Sequence, residues 1–151
     1  MIEIALYQPD IAANAGTVMR LAACLGLRVA VIEPAGFTWS DSSLKRAGLD
    51  YLDKAELIRD SSWEIFRQRT AGRRLVLMTT KAAMPYCDFR FATGDVIVMG
   101  RESAGVPDQV HQAAGARLLI PMRPGLRSIN VALACAMATG EALRQLENFP
   151  R

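Results

Sequence analysis

The sequence predicts an α/β fold in which a parallel sheet is flanked by helices, and three observations carry that prediction. Residues 2–7, 28–33, 75–78, 96–99 and 118–122 are short apolar runs, each too short for a helix and each closed by polar residues, Gly or Pro, as buried parallel strands are. The first two runs enclose a helical pattern, giving a βαβ unit whose right-handed crossover is the strong default. A chain of 151 residues with 51% apolar content supports one full core and is too short for two ordinary domains.

The elements follow in order. Residues 2–7 form a first strand ended by Gln8-Pro9-Asp10. A helix leads through Val18, Met19, Arg20 and Leu21 to Leu25, with Gly26 at its C-terminal cap. Asn14 and Gly16 are expected in the loop before it and Arg20 in its early turns. The second strand, 28–33, stops at Pro34 and Gly36, and Phe37-Thr38-Trp39 is a short aromatic loop. Asp41 is placed to cap a small helix carrying Lys45 and Arg46 and ending at Gly48. A short strand is expected over 55–58. Ser61 and Glu64 have the spacing of a capping box before Trp63, Ile65 and Phe66, so a helix should run to about Ala71, with Arg67, Arg69, Arg73 and Arg74 on an outer face. Residues 75–78 are a strand opening into Thr79-Thr80-Lys81, and 84–91 read as a connection containing Pro85.

The most informative stretch follows Asp95. Strand 96–99 ends in Gly100-Arg101-Glu102-Ser103-Ala104-Gly105, and strand 118–122 ends in a loop from Arg123 to Asn130. In open α/β sheets, ligands bind beyond the carboxyl ends of the strands, so these two loops are where chemistry is expected. Gly100 and Gly105 allow close backbone approach or positive φ, and Ser128 or Asn130 suits the N-cap of the last helix. That helix, over 129–146, is apolar nearly all round in its first half, which implies burial on every side. Either it lies partly between the subunits of a homodimer or the same chain covers it.

Composition excludes several classes. No apolar run reaches membrane-spanning length, and Met1-Ile2-Glu3-Ile4 lacks the basic region of a signal peptide; a cytoplasmic protein with no membrane partner is expected. Cys24, Cys87 and Cys135 form no C-x-x-C pair and are expected to be reduced. His111 is the single histidine, expected to be solvated on a surface helix, so no metal site is expected. Of 18 cations, 15 are arginine, the side chain suited to bidentate phosphate contacts; a phosphate-rich partner and a merely well-solvated basic surface both fit. Gly100 to Gly105 has phosphate-loop spacing, but Val106 and Pro107 replace its Lys and Ser/Thr, no G-x-G-x-x-G follows the first strand, and Ser103 is not in G-x-S-x-G.

Three polar segments remain, 14–20, 100–105 and 120–130. Together with Tyr7-Gln8-Pro9-Asp10, Arg46-Ala47-Gly48-Leu49-Asp50-Tyr51 and Thr79-Thr80-Lys81, they resemble the motifs of the SPOUT methyltransferases. Within that superfamily the chain is similar to the TrmH-like ribose 2'-O-methyltransferases, above all the small TrmL type that modifies the wobble nucleotide of certain tRNAs. The resemblance covers almost the whole chain in the same order.

It implies a single SPOUT domain over 1–151 whose C-terminal part is a deep trefoil knot, where pattern alone suggests an ordinary doubly wound sheet. It also implies a homodimer, with S-adenosyl-L-methionine held by backbone groups near Met78, Thr79, Gly100, Ile120 and Met122 and by Ser128. The catalytic positions it maps are Arg20, Asn14, Glu102, Ser128 and Asn130, with Arg20 reaching the partner's cofactor pocket. A guanidinium with pKa above about 12 is a poor general base, so Arg20 is expected to bind the neighbouring phosphate and stabilise charge developing on the hydroxyl oxygen. The tRNA would be held by Arg20, Lys45, Arg46, Arg123 and Arg127. Thr17, Arg101 and Val131-Ala132 depart from the commoner Asn, Pro and Leu-Ser of relatives. The alternatives are methylation of ribosomal RNA by the same chemistry and a non-catalytic RNA-binding module of the same fold.

Overall fold

The computed structural model describes residues 1–151, with every side chain except that of Leu49. Seven strands, β1 (Glu3–Tyr7), β2 (Arg28–Ile32), β3 (Glu56–Asp60), β4 (Leu75–Met78), β5 (Met84–Pro85), β6 (Val96–Met99) and β7 (Ala116–Leu119), form one sheet in the order β3-β2-β1-β6-β4-β7-β5. Every neighbouring pair is parallel. The helices are α1 (Ala12–Leu25), α2 (Ser42–Gly48), α3 (Trp63–Arg69), α4 (Asp108–Ala113) and α5 (Val131–Gln145). The α/β class and the parallel sheet expected from the apolar runs are what the chain adopts.

The central strands are apolar because both faces are covered. Alternate residues of a strand point to opposite sides. Ile4, Leu6, Val29, Val31, Val76 and Ile97 pack with Val18 and Met19 of α1 and with Cys135, Ala138 and Leu143 of α5. On the other face Ala5, Tyr7, Ala30, Ile32, Leu77 and Val98 meet Trp63 and Phe66 of α3 and Val110 of α4. Gly16 lies against α2, where a Cβ would stand 2.5 Å from the Leu44 carbonyl oxygen.

Several boundaries differ from those the sequence suggests. Helix α1 starts at Ala12, with Ile11 as an N-cap that offers no side-chain hydrogen bond, so Asn14 and Gly16 are in its first turns and not in the preceding loop. Ser62, not Ser61, caps α3, its hydroxyl accepting from Ile65 N at 3.1 Å; the capping box with Glu64 does not form. Strand β3 extends to Asp60, and the connection at 84–91 contains the two-residue strand β5, where Pro85 is tolerated because the strand is at the sheet's edge. Three of the four arginines expected on an outer face around α3 are instead tied to acidic residues. Arg69 bridges Glu3 and Asp60, both at 2.8 Å, Arg73 pairs with Glu3, and Arg74 with Asp95 at 2.7 Å.

Asn130, of the two candidates, caps α5, accepting from Ala132 N and Leu133 N. The burial expected all round this helix is not met within one chain: Cys135, Ala138, Ala142 and Leu143 are buried, while Leu133 is 60% and Met137 39% exposed. The same-chain cover is therefore incomplete. All three cysteines are free. Among the described residues no helix is long and apolar enough to cross a membrane.

Candidate active site

The register brings four strand ends level. Met99 lies opposite Leu6 and Met78, and Met78 opposite Leu118, so the segments after β1, β4, β6 and β7 emerge together at the carboxyl edge of the sheet. They enclose a cavity of about 460 Å³, within the range of small-molecule and cofactor sites. Met78, Thr79, Gly100, Ile120, Met122 and Ser128 line it, as do Asn14, Glu102 and Asn130. Nine of the positions singled out from the sequence are thus in one place.

The loop after β6 is shaped by its glycines. Arg101 N donates to Gly105 O and Gly105 N to Arg101 O, each at 3.0 Å, closing an antiparallel bridge. Gly105 has φ +60°, and a Cβ on Gly100 would lie 3.0 Å from the Gly105 backbone. A side chain at Gly100 would crowd the Gly105 backbone, and one at Gly105 would be strained by the left-handed φ although the space is open.

A chain of polar side chains crosses the cavity rim. Asn130 turns its Oδ1 to the α5 backbone, accepting from Ala132 N at 2.9 Å, and its Nδ2 donates to Asn14 Oδ1 at 3.0 Å. Asn14 Nδ2 donates in turn to Glu102 Oε1 at 3.4 Å. The other Glu102 oxygen accepts from Asp10 N at 3.1 Å, and Glu102 N returns a hydrogen bond to Asp10 Oδ1 at 3.2 Å. Burial, with Asp10 beside it, pushes the Glu102 carboxyl up. Hydrogen bonding with Glu102, and further along with Ser103, holds Asp10 down at about 2 against the opposing effect of burial.

This assembly has counterparts. The model of the SpoU rRNA Methylase family matches residues 1–140. The chain belongs to the SpoU methylase family. A tRNA (cytidine(34)-2'-O)-methyltransferase of Beijerinckia indica is 59% identical over 145 residues, 95% of this chain and 91% of that protein. A solved structure described as giving insights into 2-OH methylation of C/U34 on tRNA is 39% identical, with a TM-score of 0.93 over 97% of each chain. An AdoMet-bound rRNA methyltransferase from Sinorhizobium meliloti is 26% identical with a TM-score of 0.85, over 96% of this chain and 56% of that one. The resemblance stated on the motifs is therefore borne out at family level, and this SpoU methylase is an enzyme of the methyltransferase class.

Other expected site residues lie elsewhere. Arg20 is exposed on α1 and does not line the cavity; its guanidinium stands 5.2 Å from the centre of the Tyr51 ring, which Lys54 also approaches at 5.6 Å. Six positions beyond Asn14 on a helix of 3.6 residues per turn, it faces another direction. Lys45, Arg46, Arg123 and Arg127 are exposed and likewise outside the cavity. The sequence reading missed Lys81, Arg101 and His111 as lining residues. Half-buried His111 is not the solvated surface residue it was expected to be; α4 starts directly after the glycine loop, which turns it toward the cavity. Arg101 donates from Nε to Gly105 O and lies 5.5 Å from the Tyr7 ring centre, so it braces the loop across its own bridge.

Proposed function

We propose that this SpoU methylase transfers a methyl group to the ribose 2'-hydroxyl of nucleotide 34 of tRNA, a cytidine or a modified uridine, using S-adenosyl-L-methionine. The observation that carries the proposal is the convergence of the β4, β6 and β7 loops on one cavity bordered by Asn14, Glu102 and Asn130, in a chain so like a protein of C/U34 methylation.

The residues present fit the cofactor. Met78, Ile120 and Met122 offer apolar wall to an adenine face, while Gly100, without a side chain, lets the lining backbone approach its edge. Thr79 and Ser128 add hydroxyls. When bound, S-adenosylmethionine supplies the methyl group on a sulfonium that is already electrophilic. What remains for the protein is to orient the accepting hydroxyl, and positioning of this kind contributes much of such an acceleration. Asn14, Glu102, Ser128 and Asn130 fix the rim where that hydroxyl is presented.

The working unit of this reading is a homodimer of single domains spanning 1–151, acting in the cytoplasm, with the trefoil knot of the fold in the C-terminal part. Exposed Leu133 and Met137 on α5, with Ile11 and Leu126 also exposed, support a second copy as the cover. Arg20, remote from its own cavity, then serves the partner's, binding phosphate and stabilising negative charge on the ribose oxygen. Lys45, Arg46, Arg123 and Arg127 hold tRNA through its phosphates, an affinity that weakens with salt.

The test is transfer of labelled methyl from S-adenosylmethionine to unmodified tRNA, with the product mapped by alkali resistance of one phosphodiester. Label at nucleotide 34 is expected. Label in ribosomal RNA instead overturns the substrate, and absence of cofactor binding overturns the enzymatic reading in favour of a binding module. Arg20→Lys is expected to lower turnover on the order of a hundredfold if a guanidinium is required at the developing charge.

A further inference from the structure

Asp10 lies outside the cavity lining, yet it is hydrogen-bonded to Glu102 in both directions and to Ser103. We propose that Asp10 is a positioning residue for the transfer: it brackets Glu102 and so holds in place the carboxylate that accepts from Asn14 and completes the hydrogen-bonded chain from Asn130 along the cavity rim. The proposal rests on the methyltransferase reading given above.

The bracket has two rungs of opposite direction. Asp10 N donates to Glu102 Oε2 at 3.1 Å and Glu102 N donates to Asp10 Oδ1 at 3.2 Å. The second Asp10 oxygen accepts from the Ser103 hydroxyl. Two successive residues of the glycine loop are thereby tied to the segment between β1 and α1. That segment cannot drift, because Gly36 presses on it from the loop after β2. Gly36 N donates to Pro9 O at 2.9 Å, and a Cβ on Gly36 would stand 2.9 Å from Asp10 Cα.

The direction of the hydrogen bonds then propagates. The first N–H groups of α5 require an acceptor, so Asn130 must present Oδ1 to them and Nδ2 to Asn14. Asn14 therefore presents Oδ1 to Asn130 and is left with Nδ2, which needs an acceptor of its own. An ionised carboxylate only accepts, and Glu102 Oε1 is the acceptor it meets. Glu102 is held in that role by the Asp10 carboxylate, which accepts from Glu102 N and from the Ser103 hydroxyl and so ties the glycine loop to the segment before α1. Residues distant in the sequence thus form one directed chain, with Asp10 at its fixed end.

The experiment compares Asp10→Ala with Asp10→Asn in the full-length protein, each checked for folding by thermal melting. For Asp10→Ala, turnover on tRNA should fall on the order of tenfold to a hundredfold with S-adenosylmethionine affinity and tRNA KM nearly unchanged, as a small misplacement of reacting groups produces. Asp10→Asn keeps an acceptor for Glu102 N and should recover most of that loss. In NMR, the side-chain amide protons of Asn14 and Asn130 should exchange faster in Asp10→Ala and as in the parent in Asp10→Asn. Parental turnover and exchange in Asp10→Ala overturn the proposal. So does equal impairment of both variants accompanied by lost cofactor affinity, the pattern of a purely structural residue. Should Asp10→Ala not fold, Asp10→Asn with Ser103→Ala decides: loss of turnover with parental affinity supports the bracket, and parental turnover overturns it. If the parent protein itself does not methylate tRNA, the substrate reading fails, while amide exchange still tests the bracket.

Discussion

Glu3, buried at the start of β1, and Glu102, half-buried in the loop after the neighbouring strand β6, are carboxylates whose surroundings push them in opposite directions. Burial would raise Glu3, but hydrogen bonds and charge from Arg69 and Arg73 hold it below its usual value. Burial raises Glu102 too, and there its close companion is another carboxylate, Asp10. Among the described residues no cation forms an ion pair with Glu102. A buried charge that is paired and hydrogen-bonded serves the fold; one that meets N–H donors and another carboxylate, with no cation, is held against its own solvation preference. The difference separates a cluster that stabilises the fold from one held against its own solvation at the cavity rim.

The comparison breaks first at Arg69. Its removal leaves Glu3 and Asp60, both buried, short of a counter-charge, and breaking such a pair costs about 3 kcal/mol or more. Arg69→Ala should show that loss in urea unfolding, with turnover per folded molecule retained. Glu102→Gln is the reverse case. The glutamine amide confronts either Asp10 N or Asn14 Nδ2 with a donor, so turnover should drop on the order of tenfold to a hundredfold, while the melting temperature stays at or above that of the parent.

Acidification sharpens the contrast. Glu3 has a lowered folded value, so its stabilisation is present above 4.5 and disappears as pH falls through that lower value. For Glu102 the sign is opposite: the fold favours its neutral form, a contribution complete below 4.5 and lost as pH rises through the raised value. The rim needs the ionised form as double acceptor. Turnover should therefore fall at a pH above 4.5 while circular dichroism is still native, and unfolding should follow only below it; coincident transitions would remove the distinction. The smallest effect separates two helix caps. Ser62→Ala and Asn130→Ala should each cost about 1 kcal/mol, but only the second should also reduce turnover.

Much of this arrangement was legible in the sequence, for identifiable reasons. Strands β1, β2, β4 and β6 are buried on both faces, which leaves an unbroken apolar run, and the rule that ligands sit past strand carboxyl ends located the loops. What escaped depended on partners remote in the chain. Arg69, Arg73 and Arg74 read as solvated because their acids, Glu3, Asp60 and Asp95, are not helix neighbours. Asp10 read as the end of a strand because its partner, Glu102, is 92 residues away. Strand β5 has only two residues and no period to detect. Gly16 looked like loop because the contact that needs it is with the Leu44 carbonyl on another helix.

The position of β6 between β1 and β4 also governs the order of events on the ribosome. Both flanking strands leave the exit tunnel before β6 does, so a chain that has emerged as far as Gly94 carries a β3-β2-β1 fragment with an open β1 edge and a β4 strand without either of its neighbours. Such edges are open to wrong partners until residues 96–99 insert. The cavity, which needs loops from β4, β6 and β7 at once, comes into being only after β7 has emerged, and a product truncated before Ala116 lacks one of its walls.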